Sequence, residues 1–136
     1  MFFRKKNKNK KIINWALVVL WALLIFGSSS IAGSDLKVVE VSDRGYDVIS
    51  SVVNVFLYLV LTIFLIRAFL VSGLSLRQAL IFAFLLAIVY GLLDEFHQAW
   101  TPGREVHLSD WLLDVVGLVI SLNIYIWRHK LKIIFK

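Results

Sequence analysis

The chain has 136 residues, of which 60% are apolar and 18% charged, with a formal net charge of +6 and a mean hydropathy of +0.81. A soluble domain of this size cannot hide so much apolar surface, so lipid must be the solvent for much of it. One Pro and seven Gly exclude a collagenous or disordered chain, and the absence of Cys excludes disulfides and thiolate metal sites.

In chain order, a basic arm (Arg4, Lys5, Lys6, Lys8, Lys10, Lys11) leads into an apolar run from Ile12 to Ala32. The pair resembles the opening of a secretory signal peptide, with small residues at Ser28 to Gly33. Apolar character nevertheless continues through Phe26, Ile31 and Ala32, and Trp15 and Trp21 suit an anchored helix, so a retained span is expected. A second span is expected from Val48 to Val71. A third runs from Gln78 to about Trp100 and a fourth from Asp110 to Trp127. These last two reach the roughly 20 residues needed to cross the hydrocarbon only if their acidic ends sit in the interface or inside the bundle.

Charge placement sets the expected topology. Twelve of the fifteen basic residues fall in the amino-terminal arm, at Arg67 and Arg77, and in the tail at Arg128, Lys130, Lys132 and Lys136. The other three, Lys37, Arg44 and Arg104, share the remaining connections with all nine acids. The positive-inside rule then puts both termini in the cytoplasm and the acids at the outer face. The basic flanks are expected to orient helices and touch anionic headgroups, not to bind nucleic acid. The short link from Ser72 to Arg77 makes spans two and three antiparallel neighbours, and Pro102-Gly103 signals a tight turn that makes spans three and four a hairpin.

Candidate chemistry gathers in the outer halves. On a helix advancing 100° per residue, Tyr90, Gly91, Asp94, Glu95, His97 and Gln98 share one hemisphere, while Leu92, Leu93, Phe96 and Trp100 fall opposite. In span four Asp110, Asp114, Gly117 and Ser121 repeat at helical spacing, and Gly and Ser there admit a close neighbour. Span two carries Asp47, Ser50, Ser51, Asn54 and Tyr58 on one stripe. Ionisable groups in hydrocarbon cost roughly 2.5 to 3.5 kcal/mol each, so the cluster needs a wet cavity, mutual pairing or protonation.

Several readings of that cluster stand side by side. Glu95 or Asp114 is a candidate general base or acid, His97 a helper, and Arg104 a partner for a phosphate or carboxylate; Gln98, Asp110, Asn54, Tyr58 and Asp94 are candidate substrate-binding residues. The same side chains could instead clamp the hairpin, with Asp110 or Ser109 capping a helix. Glu95, His97, Asp110 and Asp114 could hold a hard or borderline cation, but their spacing is not diagnostic, and no cofactor or resident metal is expected. His107 and His129 read as loop and interface residues, and Ser28, Ser29 and Ser30 as rim residues that cap or pack in preference to nucleophiles.

The run Asp94-Glu95-Phe96-His97-Gln98, then Pro102-Gly103-Arg104, then Asp110, Asp114 and Gly117, resembles the VanZ-like family. Glu95, His97, Gln98, Arg104, Asp110 and Gly117 match its pattern; Phe26 with Ser28 to Ser30 looks like its Ser-containing first helix, and Tyr58 with Arg67 fits its second. Two positions depart from it: Asn54 stands where the family often has His, and Asp114 where it often has Asn. The resemblance spans nearly the whole chain and implies a multi-pass membrane protein linked to reduced susceptibility to teicoplanin and related lipophilic glycopeptides, with no settled mechanism.

The expected architecture is all-α: one domain over residues 1–136, four transmembrane helices in a small bundle in the cell membrane, both termini cytoplasmic. The leading functional expectation is an outer-leaflet pocket that binds or modifies a lipid, a cell-wall precursor or a lipophilic glycopeptide. Turnover and binding without turnover both stay open, as do a structural role for the acids and a small transporter. The last ranks lowest for a monomer, because the inner halves of the spans hold few polar groups beyond Thr62, Ser121 and Asn123.

Overall fold

The computed structural model describes the backbone of residues 2–30, 43–100 and 108–134, and side chains over 8–30, 51–100, 111–128 and 130. Four α-helices occupy these segments: α1 Phe2–Ser29, α2 Asp43–Val71, α3 Leu76–Gln98 and α4 Leu108–Ile134, with no strand among the described residues. Each contains a stretch long and apolar enough to cross a membrane: Lys8–Ser29, Ser51–Val71, Leu76–Gln98 and Trp111–Arg128. The protein is therefore an all-α, multi-pass membrane protein.

The helices exceed the expected spans at their charged ends. α1 runs back through the basic arm and stops at Ser29, short of Ala32, and α4 continues beyond Trp127 through the basic tail. Lys and Arg are good helix formers, so the helix propagates past the hydrocarbon into water. Asp110 falls in the first turn of α4, not at its cap, a position where an acid still suits the helix dipole. α2 begins at Asp43, five residues before the expected Val48; residues 31–42, the Pro102-Gly103 turn, Glu105 and His107 lie outside the described residues, as do the side chains of Asp47, Ser50, Ser109 and His129.

The expected antiparallel link between α2 and α3 is built from two capping motifs. At the end of α2 the Gly73 amide donates to Leu70 O (3.1 Å) and the Leu74 amide to Phe69 O (3.2 Å), with Gly73 at φ 100°. That pairing is a Schellman motif, and only Gly takes this φ without strain. α3 then opens on Ser75, whose Oγ accepts from the Gln78 amide (3.4 Å) while Gln78 Oε1 accepts from the Ser75 amide (3.0 Å). This reciprocal capping box satisfies donors that the first turn cannot pair internally.

α2 is the centre of the bundle. It packs on all three other helices, whereas α1 and α4 do not meet among the described residues. Its buried Tyr58, Leu61, Thr62, Leu65 and Ile66 follow helical spacing along one stripe. Lipid supplies no hydrophobic force between helices, so association depends on close packing and hydrogen bonds, which small residues permit. α3 contributes Ala79, Ala83, Ala87 and Gly91 at four-residue intervals, all buried. α4 contributes Gly117 and Ser121, also buried. Thr62 Oγ1 donates to Tyr58 O (2.8 Å) and Ser121 Oγ to Leu118 O (2.7 Å), so neither hydroxyl is left unsatisfied in the interior.

α1 lies against α2 in the opposite direction. Trp15 packs edge-on to Phe69 and donates Nε1 to Ser72 Oγ (3.2 Å); Trp21 packs edge-on to Phe64 and donates Nε1 to Leu57 O (2.9 Å). Lys11 Nζ reaches Ser72 O (3.4 Å), which puts the basic start of α1 and the α2–α3 turn at one end of the bundle. The polar cluster is at the other end.

Candidate functional site

Gly91, Asp94, Glu95 and Gln98 continue the buried face that the α3 alanines begin, while Leu93, Phe96 and Trp100 stand exposed on the far side. The division is the one that helical periodicity sets. Two carboxylates on a buried face require partners. For Asp94 they are identified: Ser29 Oγ donates to Oδ1 at 2.7 Å and Gln98 Nε2 to Oδ2 at 3.1 Å. Asp94 thus joins α1 to α3, and Gln98, a turn further along, holds the same carboxylate.

α1 enters the cluster through residues that sequence reasoning placed only at the rim. Ser29 is buried against Asp94. Ser30 Oγ donates to Phe26 O at 2.6 Å and stands 3.0 Å from His97 Nε2. Either group can donate in that second contact, according to the imidazole tautomer. The imidazole also stacks on Phe26, with ring centroids 4.3 Å apart. His97 therefore belongs to the α1 side of the cluster. The available signal was depth: with spans alternating in direction, the end of span one lies level with the acidic end of span three.

The α2, α3 and α4 contributions meet at Gly91. A methyl group there would stand 3.3 Å from Tyr58 Cε1, 3.4 Å from Trp111 Cδ1 and 3.5 Å from Asp114 Oδ2. Tyr58 is 2% exposed and Asp114 3%. The carboxylates of Asp114, Asp94 and Glu95 are all within electrostatic reach of Tyr58. Below this point Tyr90 tilts against Tyr58, ring centroids 6.3 Å apart, and donates its hydroxyl to Ala22 O at 2.6 Å, closing the floor toward α1.

Two buried donors at this junction, Tyr58 Oη and Trp111 Nε1, have no hydrogen-bond acceptor among the described residues. Trp111 was not among the sequence candidates, although an indole N–H next to Asp110 is a buried donor in waiting. Asn54 is half-buried one turn before Tyr58 on α2. The side chains of Arg104 and Asp110 lie outside the described residues. Among the described residues no group of three His, Asp or Glu side chains is placed to hold a metal ion.

The cluster thus holds two sets of contacts. Asp94, Gln98, Ser29, Ser30 and His97 tie α1 to α3, and Tyr58, Trp111, Asp114 and Gly91 form a junction of α2, α3 and α4 with donor groups to spare. No curated protein and no solved structure matches the chain. A family model described as VanZ/LLP1 matches residues 7–131, nearly the whole chain, and the protein belongs to that family.

Proposed function

We propose that the junction around Gly91 is a recess at the outer leaflet that receives the headgroup of an amphiphile, a lipid, cell-wall precursor or lipophilic glycopeptide, and thereby alters glycopeptide susceptibility. The family's association with glycopeptide resistance fits this role. The observation that carries it is the pair of buried donors, Tyr58 Oη and Trp111 Nε1, without acceptors in the described protein. A buried donor left unsatisfied costs about 1 to 3 kcal/mol, and a headgroup oxygen is an acceptor that would remove that penalty. Asp114 borders the same space, and Arg104, ten or fewer residues from every acid of α3 and α4, is the cation suited to a phosphate or carboxylate. The distribution of Lys and Arg supports cytoplasmic termini, and with that orientation the recess faces outward.

Turnover and recognition separate by substitution. Glu95→Gln removes a base but keeps the size and much of the hydrogen bonding of the side chain. In cells challenged with teicoplanin, an enzyme loses the susceptibility phenotype in this variant at unchanged membrane abundance, whereas a binder keeps a measurable part. Tyr58→Phe and Arg104→Ala weaken both. If Glu95→Gln and Arg104→Ala leave susceptibility untouched while the protein stays in the membrane, the cluster is a clamp. The hydrogen bonds of Asp94 to Ser29 and Gln98 favour that second reading for the α1 side of the cluster.

A further inference from the structure

We propose that the protein pairs with a second copy of itself through the lipid-facing side of α4, with the two Asn123 carboxamides hydrogen-bonded across a two-fold axis. Asn123 lies inside the Trp111–Arg128 span, five residues and so about 7.5 Å short of Arg128, yet it is exposed on the surface of the bundle. Its Nδ2 donates to Val119 O at 2.8 Å. Its second N–H and its Oδ1 have no partner among the described residues. In hydrocarbon an amide in that state is costly, and the group that complements it, offering one donor and one acceptor, is another carboxamide.

The surface around Asn123 repeats with the period of a two-helix seam. Leu112, Val116, Val119, Asn123, Ile126 and Lys130 are separated by four, three, four, three and four residues, and all are exposed. This is a heptad a/d stripe in which Val116, Asn123 and Lys130 occupy a positions and Leu112, Val119 and Ile126 occupy d. The opposite side of the helix, with Asp114, Gly117, Leu118 and Ser121, is buried in the protein's own bundle. α4 thus packs one face within the monomer and leaves the stripe around Asn123 exposed.

The membrane selects the geometry of the pair. Copies inserted with one topology present α4 in one direction, so two such helices meet in parallel. In a parallel pair a residue at an a position faces its own symmetry mate, which makes the contact self-complementary and closed. A β-branched residue at a, here Val116, favours two strands, and a single Asn at a fixes register. Lys130 ends the stripe beyond the span, where its ammonium reaches water and headgroups instead of its counterpart.

The native absence of Cys makes the test free of background. Single cysteines at Val116, Val119 and Ile126, with a control at the exposed α3 residue Val89, are oxidised in isolated membranes containing the full chain, and the covalent pair is quantified. The stripe positions form the pair severalfold more than Val89. In the Ile126→Cys background, Asn123→Val lowers the yield about three- to tenfold, the effect of one or two intramembrane hydrogen bonds, and Asn123→Gln restores it. Equal yields at Val89 and the stripe, no pair at any stripe position at equal membrane abundance, or no response to Asn123→Val overturns the proposal. The result is independent of what the Gly91 recess binds.

Discussion

Gly117 of α4 lies against the backbone of Val55 on α2, so that a side-chain carbon on Gly117 would fall on the Val55 carbonyl oxygen and 3.1 Å from the Leu59 amide nitrogen. The partner atoms are backbone and cannot turn aside as a flexible side chain would. Gly117→Ala should therefore destabilise the protein by about 1 to 3 kcal/mol, or more if α2 and α4 must separate, despite the higher helix propensity of Ala. Thermal unfolding of the detergent-solubilised protein measures this; an unchanged midpoint would show that the two helices are further apart than the contact implies.

Ser29 and Asp94 offer a second test, because their hydrogen bond spans 65 residues of sequence. Ser29→Ala removes one of the groups satisfying a buried carboxylate and is expected to lower stability by about 1 to 3 kcal/mol. In a double-mutant cycle with Asp94→Asn the coupling should be about 0.5 to 2 kcal/mol. Additive losses would mean that the Ser29–Asp94 contact does not hold α1, which then rests on its other attachments, Trp15, Trp21 and Tyr90 among them.

Gly91→Ala distinguishes a recess from a clamp. The added methyl group meets two ring edges and one carboxylate oxygen at 3.3 to 3.5 Å, and the shortest of these, to Tyr58, demands a few tenths of an ångström of adjustment. Helix propensity favours Ala by about 1 kcal/mol, so stability should change little. The space beside Tyr58 and Trp111 shrinks, and teicoplanin susceptibility should move toward that of cells lacking the protein. A folded Gly91→Ala variant with the full phenotype would assign the junction a packing role.

Orientation is tested with introduced cysteines. At Lys8, Ser75 and Lys132 they should resist an impermeant thiol reagent in intact cells, and at Lys37 and Glu105 they should react. The reverse pattern would put the Gly91 junction at the inner face and remove its access to an extracellular glycopeptide.

The parts of this arrangement that were legible in the sequence are those that periodicity encodes. The buried and lipid-facing sides of α3 follow from the positions of Asp94, Glu95 and Gln98 against Leu93 and Phe96, because lipid and protein interior sort side chains along one helix. The spacing of Gly117 and Ser121 signalled a close helix neighbour, but spacing does not name the neighbour. Loop length drew attention to α3, whereas the closest approach is to α2, set by where the glycine falls along the bundle. The contribution of α1 was the hardest to read: Ser29, Ser30 and Phe26 have no distinctive spacing, and their role comes from meeting Asp94 and His97 in space.

The way α1 is attached also bears on how the protein is made. Its anchors, Leu57, Ser72, Tyr90 and Asp94, all lie later in the chain, so α1 leaves the ribosome and enters the bilayer before any of them exists. It waits in the bilayer without these partners until α2 and then α3 follow, and its leucine- and valine-clad outer surface lets it do so. Docking of the first helix is accordingly complete only after α3 has entered, and substitutions at these anchors should trap a fully inserted but loosely assembled chain open to membrane proteases.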